Sequence, residues 1–84
     1  MPYFVYILYC ADGTLYCGST NNMARRVAAH NGLKSGAKYT RARRPVTVRY
    51  TEQFKTATEA KKREAEIKGL TREDKLAIIG ILYL

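Results

Sequence analysis

Between Asp12 and Glu52 the sequence contains no acidic residue. That span holds Arg25, Arg26, Lys34, Lys38, Arg41, Arg43, Arg44 and Arg49, so the excess of 15 Lys and Arg over 7 Asp and Glu is gathered mainly in the middle of the chain. A stretch of this kind attracts a polyanion, and the glycines and Tyr39 among its charges favour nucleic acid over a merely solvated basic surface. Tryptophan is absent and cysteine is limited to Cys10 and Cys17, without the paired Cys/His spacing of a zinc site. Two thiols in a reducing compartment read as small buried strand residues. No apolar run approaches the ~18 residues of a membrane span, and the start MPYFVYILYC lacks a basic n-region, which together predict a cytoplasmic protein with no membrane partner. At 84 residues the chain is expected to form one domain, 1–84, whose site uses the same few elements as its core.

Pro2 to Cys10 is β-branched and aromatic enough for a strand, and Leu15 to Gly18 for a second, joined as a hairpin through Ala11-Asp12-Gly13-Thr14. Thr20 or Asn21 is placed to cap a helix running to about Asn31, where Asn31-Gly32 gives a stop. A Gly- and Arg-containing loop from Gly32 to Pro45 follows. Val46, Val48 and Tyr50 then alternate with Thr47 and Arg49, as a half-buried strand requires. Thr56-Ala57-Thr58-Glu59 is a capping box for a helix ending at Gly69, and Thr71-Arg72-Glu73-Asp74 opens an apolar last helix through Leu76, Ile78 and Ile79. The class is α+β, a small three-stranded, mainly antiparallel sheet flanked by helices in the order β-β-α-β-α-α.

The hairpin register decides whether its tyrosines share a face. A two-residue Asp-Gly loop sets Tyr9 against Tyr16 and leaves Tyr6 on the opposite face from Tyr16. A three-residue loop with Gly13 in the left-handed region pairs Leu8 with Tyr16 and Tyr6 with Gly18, which makes Tyr6 and Tyr16 diagonal neighbours. Glycine suits that third loop position. The same register sends Cys10 and Cys17 to opposite faces, against a disulfide.

Helical angles separate otherwise similar residues. At about 100° per residue, with Met23 at zero, Val27 falls near ~40°, His30 near ~−20° and Arg26 near ~−60°, whereas Arg25 points away at about 200°. Arg26 and His30 therefore flank the buried stripe. A lone histidine there is more often a packing residue, but an arginine on the same edge changes its company. On the second long helix Glu64 falls inside the small apolar face with Ala60 and Ile67, while Glu59 and Glu66 point outward. A carboxylate at the edge of a core needs a salt bridge or a cation. One inward carboxylate, one inward arginine and paired tyrosines in a basic protein are the parts of phosphodiester cleavage: a hard cation held by oxygen, a positive charge for the phosphorane, and an acceptor for water's proton.

VYIL at Val5–Leu8, YCG at Tyr16–Gly18, ARR with Arg26 ten residues after Tyr16, then His30, then REAEIK with Glu64, resembles the GIY-YIG nuclease domain in order and spacing over nearly the whole chain. AKYTRARRPV and KKREAEIKGLTREDK resemble segments of its small single-domain bacterial members. The resemblance implies a metal-dependent DNA endonuclease, structure- or damage-directed in repair or recombination. RNA is the alternative nucleic acid, and no small-molecule cofactor is implied. By the same resemblance Tyr6 and Tyr16 lie at the catalytic centre, one of them accepting the proton of the attacking water. Arg26 contacts the scissile phosphate, His30 lies near the nucleophile, and Glu64 alone binds the divalent ion, Mg2+ or Mn2+.

The chain departs from the pattern at Val5, where the family name has glycine, and at Cys17, where it has isoleucine. The segment from Leu76 to Leu84 is apolar where some members carry a polar residue, often asparagine. A second class, a nucleic-acid-binding module of the same fold with little turnover, needs no inward Glu64. In either class affinity is expected from the basic loop, through Lys34, Lys38, Tyr39, Arg41, Arg43 and Arg44.

Overall fold

In the computed structural model, which describes residues 2–32, 40 and 42–83 (the backbone alone at 81–83), the expected α+β order holds. The elements are β1 (Tyr3–Cys10), β2 (Leu15–Thr20), α1 (Met23–Asn31), β3 (Val46–Phe54), α2 (Ala57–Lys68) and α3 (Arg72–Tyr83). The strands form an antiparallel sheet in the order β2-β1-β3. Because β1 is central and covered on both sides, it buries a continuous run from Val5 to Leu8. Val5 and Ile7 point to one face and pack with Cys17, Ala60 and Ile67, under α2 and α3. Tyr6, Leu8 and Cys10 point to the other and pack with Val46 and Met23, on the side of α1. Counting back from Tyr6, the glycine of the family name falls at Phe4 and not at Val5; Val5 and Cys17 stand at the two isoleucine positions, and both fill the core under α2.

The hairpin turns through the three-residue loop. Gly13 has φ +85°, its N–H donates to Cys10 O at 2.9 Å, and Cys10 N–H donates to Thr14 O at 2.9 Å. Leu8 consequently faces Tyr16 and Tyr6 faces Gly18, which puts the two tyrosines on one face. Cys10 and Cys17 are free thiols on opposite faces. Gly18 is required by close approach, since a Cβ there would meet Tyr6 Oη and come within 2.6 Å of Tyr6 Cζ.

Element ends differ in instructive ways. β2 continues to Thr20, so the cap of α1 is Asn22, not Thr20 or Asn21: Asn22 Oδ1 accepts from Arg25 N at 3.0 Å. Thr20 instead turns the chain, its hydroxyl accepting from Asn22 N at 3.1 Å. The end of α1 is fixed less by Gly32, whose φ of 175° suits any residue, than by Asn31. The Asn31 amide reproduces a strand's pairing pattern, accepting from Val46 N at 2.6 Å and donating to Val46 O at 3.0 Å. β3 runs on to Phe54, with a register shift opposite Ile7/Leu8. Its continuation brings Glu52 inward, where Tyr50 Oη (2.6 Å) and Arg63 Nε (2.9 Å) satisfy the carboxylate. Thr56 caps α2 as expected, its hydroxyl accepting from Glu59 N at 3.2 Å, but the Glu59 carboxylate accepts from that hydroxyl at 3.0 Å and not from the Thr56 N–H of a full capping box; Thr71 accepts from Asp74 N at the start of α3. Among the described residues no helix is long and apolar enough to cross a membrane.

Gly18→Ala is expected to destabilise the protein by about 1–3 kcal/mol, the usual cost of overpacking, because the Tyr6 ring it displaces is buried among Leu8, Cys10 and Val46. Chemical denaturation measures this; a variant as stable as the parent would mean that the ring moves freely.

Candidate active site

Four of the five residues singled out in the sequence converge on the α1 side of the sheet. The Tyr6 hydroxyl accepts from Arg26 Nε at 3.3 Å and lies 2.9 Å from His30 Nε2. The Tyr16 ring stands edge-on to His30, 5.1 Å between centroids, and 6.5 Å from the Tyr6 ring. The geometry follows from two periodicities: β2 presents Tyr16 and Gly18 to one face, and α1 presents Arg26 and His30 one turn apart on its inner edge. Arg25, on the other side of α1, is exposed while Arg26 is half-buried. His30 is fully buried, as a packing residue would be, yet both ring nitrogens have polar partners, Nδ1 lying 2.8 Å from the hydroxyl of the equally buried Thr40.

Electrostatics make this cluster a neutral pair beside a fixed cation. Burial, followed by the charges of Arg26 and Arg44, depresses His30 to about 4, so the imidazole is uncharged at neutral pH. Burial raises Tyr6 above the ordinary phenol value, the hydrogen bond and charge of Arg26 opposing it only in part. Tyr6 is therefore a protonated phenol with a guanidinium on its oxygen.

Glu64 lies across the edge strand from these four. Its carboxylate accepts from Ser19 Oγ at 2.6 Å, is paired with Lys68 Nζ at 2.7 Å, and has Lys61 Nζ at 3.6 Å. The side chain is only 12% exposed, against 55% for Glu66. Burial alone would raise its pKa, but hydrogen bonds from Lys68 and Ser19 and the charges of Lys68 and Lys61 outweigh that and hold it below the usual carboxylate range. Among the described residues no three His, Cys, Asp or Glu come together, which excludes a closed all-protein cage there. A carboxylate kept ionised and already attracting cations fits a hard divalent ion completed by water and phosphate oxygens. Two shallow clefts of about 230 Å³ meet at Thr20 and Asn21, one lined by Arg25 and Arg26 and the other by Ser19 and Lys61.

The basic loop divides. Arg43 Nε lies 2.9 Å from Asp12 Oδ2, and Arg44 Nε donates to His30 O at 2.6 Å, so both arginines serve the fold. Lys34, Lys38, Tyr39 and Arg41 lie outside the described residues. Sequence reasoning missed Ser19, Lys68 and Thr40. Ser19 follows Cys17 by two on the same face of β2, and Lys68 follows Glu64 by four on α2, so period counting would have found them. Thr40 carries no such signal, because its contact with His30 crosses a loop.

The His30 shift fixes the sign of a pH effect. Between its folded value of about 4 and its ordinary value of 6.5, the unfolded chain binds a proton that the folded chain does not, so this contribution to stability is lost as pH falls through that window. The stability gap between the parent and His30→Gln is expected to narrow from pH 6.5 to pH 4 in thermal unfolding at fixed ionic strength. A constant gap would contradict a buried neutral imidazole.

The model of the GIY-YIG catalytic domain matches residues 2–77. A UPF0213 protein of Halobacterium salinarum is 53% identical over 74 residues, covering 88% of this chain and 95% of its own. One of Desulfotalea psychrophila is 51% identical over 77 residues, covering 92% of this chain and 70% of its own. Two solution NMR structures are each 40% identical to it. The UPF0213 protein of Bacillus halodurans has a TM-score of 0.62 over 96% of this chain and 85% of its own, and an E. faecalis protein 0.66 over 99% and 88%. With the family's model matched over residues 2–77, the chain belongs to the GIY-YIG catalytic domain family, a nuclease-type family acting on nucleic acid.

Proposed function

We propose that the protein is a divalent-metal-dependent endonuclease that hydrolyses phosphodiester bonds of DNA, with Tyr6, Tyr16, Arg26, His30 and Glu64 as its catalytic residues. The observation that carries this reading is the Tyr6 hydroxyl held between Arg26 Nε and His30 Nε2. Arg26 binds the scissile phosphate and compensates charge on its non-bridging oxygens as the phosphorane forms. Tyr6 takes a proton from the attacking water and passes its own to His30 Nε2. The water oxygen bonds to phosphorus, the bond from phosphorus to the leaving sugar oxygen breaks, and that oxygen is protonated from solvent. The imidazolium then returns its proton through Tyr6. A phenol alone is a poor base, and the depressed basicity of His30 is the obstacle to this transfer. The bound phosphodiester eases it in part: burial, the largest cause, stays, but the phosphodiester's negative charge offsets Arg26, one of the two charges that add to it.

Glu64 would hold the divalent ion, Mg2+ or Mn2+, which would supply charge stabilisation at the leaving oxygen. Ser19 orients the Glu64 carboxylate, and Lys68 and Lys61 keep it ionised. The clefts meeting at Thr20 and Asn21 give the backbone a path from Arg26 towards Glu64. Lys34, Lys38, Tyr39 and Arg41 add phosphate and base contacts, with Arg43 and Arg44 contributing only what their structural partners leave. The substrates to try are damaged, branched and single-stranded DNA beside plasmid, with and without the ion.

Glu64→Ala is expected to abolish divalent-dependent cleavage while DNA affinity changes less than about threefold, since phosphate contacts dominate binding. Glu66→Ala is the control, and equal cleavage by Glu64→Ala and the parent would remove the metal assignment. If no substrate on the panel is cut by the parent, the binding-module class takes over.

Arg26→Ala is expected to lower turnover by a factor on the order of 10², as loss of one preorganised charge stabiliser does, and Arg25→Ala mainly to weaken binding. Single-turnover rates beside binding isotherms separate the two. Equal losses of turnover in both variants would sink the distinction.

A further inference from the structure

Glu64 is a charge at the edge of a core, its side chain 12% exposed, and such a charge needs a partner at all times. Its two oxygens are served differently. Oε1 accepts from Ser19 Oγ at 2.6 Å and has Lys61 Nζ at 3.6 Å, whereas Oε2 is paired with Lys68 Nζ at 2.7 Å. The Ser19 contact is neutral and comes from a strand, and the Lys61 side chain is 71% exposed. Lys68 is the close counter-charge.

A hard divalent ion on this carboxylate sits ~2.1 Å from an oxygen. The Lys68 ammonium would then face a dication across one carboxylate, and the two repel. Ser19 carries no charge, so its hydrogen bond survives the arrival of the ion. Lys68 must give way and Ser19 need not.

The fold lets Lys68 do so. It follows Glu64 by four on α2, an ion-pair spacing that a helix forms without help from other elements. It is also the last residue of that helix, ahead of the Gly69 cap, and its side chain is 52% exposed. A withdrawn ammonium therefore meets water and the negative end of the helix dipole, not a core. Its flexible four-carbon stem moves without the backbone.

We propose that Lys68 is a displaceable counter-ion, whose ammonium neutralises Glu64 until the divalent ion arrives and with which that ion must exchange in order to bind. The proposal deepens the nuclease reading given above and rests on its assignment of the ion to Glu64. Ion affinity becomes a difference, between what Glu64 gains from the ion and what it gives up in Lys68.

Mn2+ binding in the absence of DNA, followed by electron paramagnetic resonance of the free ion, reads the exchange directly. Lys68→Gln is expected to bind Mn2+ about tenfold more tightly than the parent. Lys61→Gln removes the same charge from the same carboxylate, but from 3.6 Å and 71% exposure, and is expected to change binding by less than about twofold. Glu64→Gln is expected to lose the site. Thermal unfolding gives a second readout: in chelator Lys68→Gln is expected to melt below the parent, and Mn2+ to raise its Tm by more than the parent's. Equal Glu64-dependent affinity in Lys68→Gln and the parent overturns the proposal. Equal gains in Lys68→Gln and Lys61→Gln also overturn it, since a general field and not an exchange would then be at work. Should Lys68→Gln fold only with Mn2+ present, the ion has replaced the ammonium and the proposal stands. Should it not fold at all, Lys68→Arg decides, because its planar fork grips a carboxylate harder: weaker Mn2+ binding supports the exchange and unchanged binding overturns it. Equal Mn2+ binding by Glu64→Gln and the parent removes the ion assignment and this proposal with it. Tighter Glu64-dependent binding by Lys68→Gln in a protein that cuts no DNA defeats the nuclease reading alone.

Discussion

The hydrogen bond between Tyr6 and His30 joins the central strand to α1, and the site is organised around it. α1 is a short helix whose buried residues are only Ala29 and His30, so it has little apolar surface with which to grip the sheet. A buried hydrogen bond adds on the order of 1 kcal/mol net, but leaving one partner unsatisfied costs about 1–3 kcal/mol. The helix is therefore held less by gain than by the penalty for moving. His30 cannot leave without stranding Tyr6 and Thr40, and Arg26, one turn earlier, is carried to the same oxygen. Gly18 completes the arrangement by leaving room for the Tyr6 ring over β2.

β2 divides the chemistry between its two faces. Tyr16 and Gly18 look towards α1, Cys17 and Ser19 towards α2, and Ser19 holds the Glu64 carboxylate. As an edge strand β2 has a rim, and at the rim Thr20 and Asn21 border clefts on both sides. The charge of Glu64 reaches Tyr6 across this strand, where it raises the phenol's pKa slightly further. An arginine on one face and a carboxylate on the other are kept from pairing with each other.

Much of this was legible because local patterns and the tertiary structure agree. Gly13 set the hairpin register, helical angles separated Arg26 from Arg25 and Glu64 from Glu66, and the Thr56 cap opened α2 where expected. The failures have physical causes. Thr20, Asn21 and Asn22 are three adjacent residues able to cap, and the length of β2, set by pairing with β1, chose the third. The Asn31-Gly32 stop ends α1 where expected, but the pairing of the Asn31 amide with Val46, fifteen residues away, has no local signal. The structural partners of Arg43 and Arg44, Asp12 and the His30 carbonyl, could not be foreseen because they are distant in sequence. Thr40 belongs to the same class: a hydroxyl in a basic loop announces nothing until the loop is closed.

The Asn31 amide, paired with both backbone groups of Val46, brings the two ends of the basic span together at a fixed point beside the core. A span anchored at both ends contributes its length to stability only logarithmically, about 0.6 kcal/mol per doubling. A change in the number of residues between these two anchors therefore costs little in closure entropy and leaves the junction of α1 with β3 where it is, and with it His30, the residue next to Asn31.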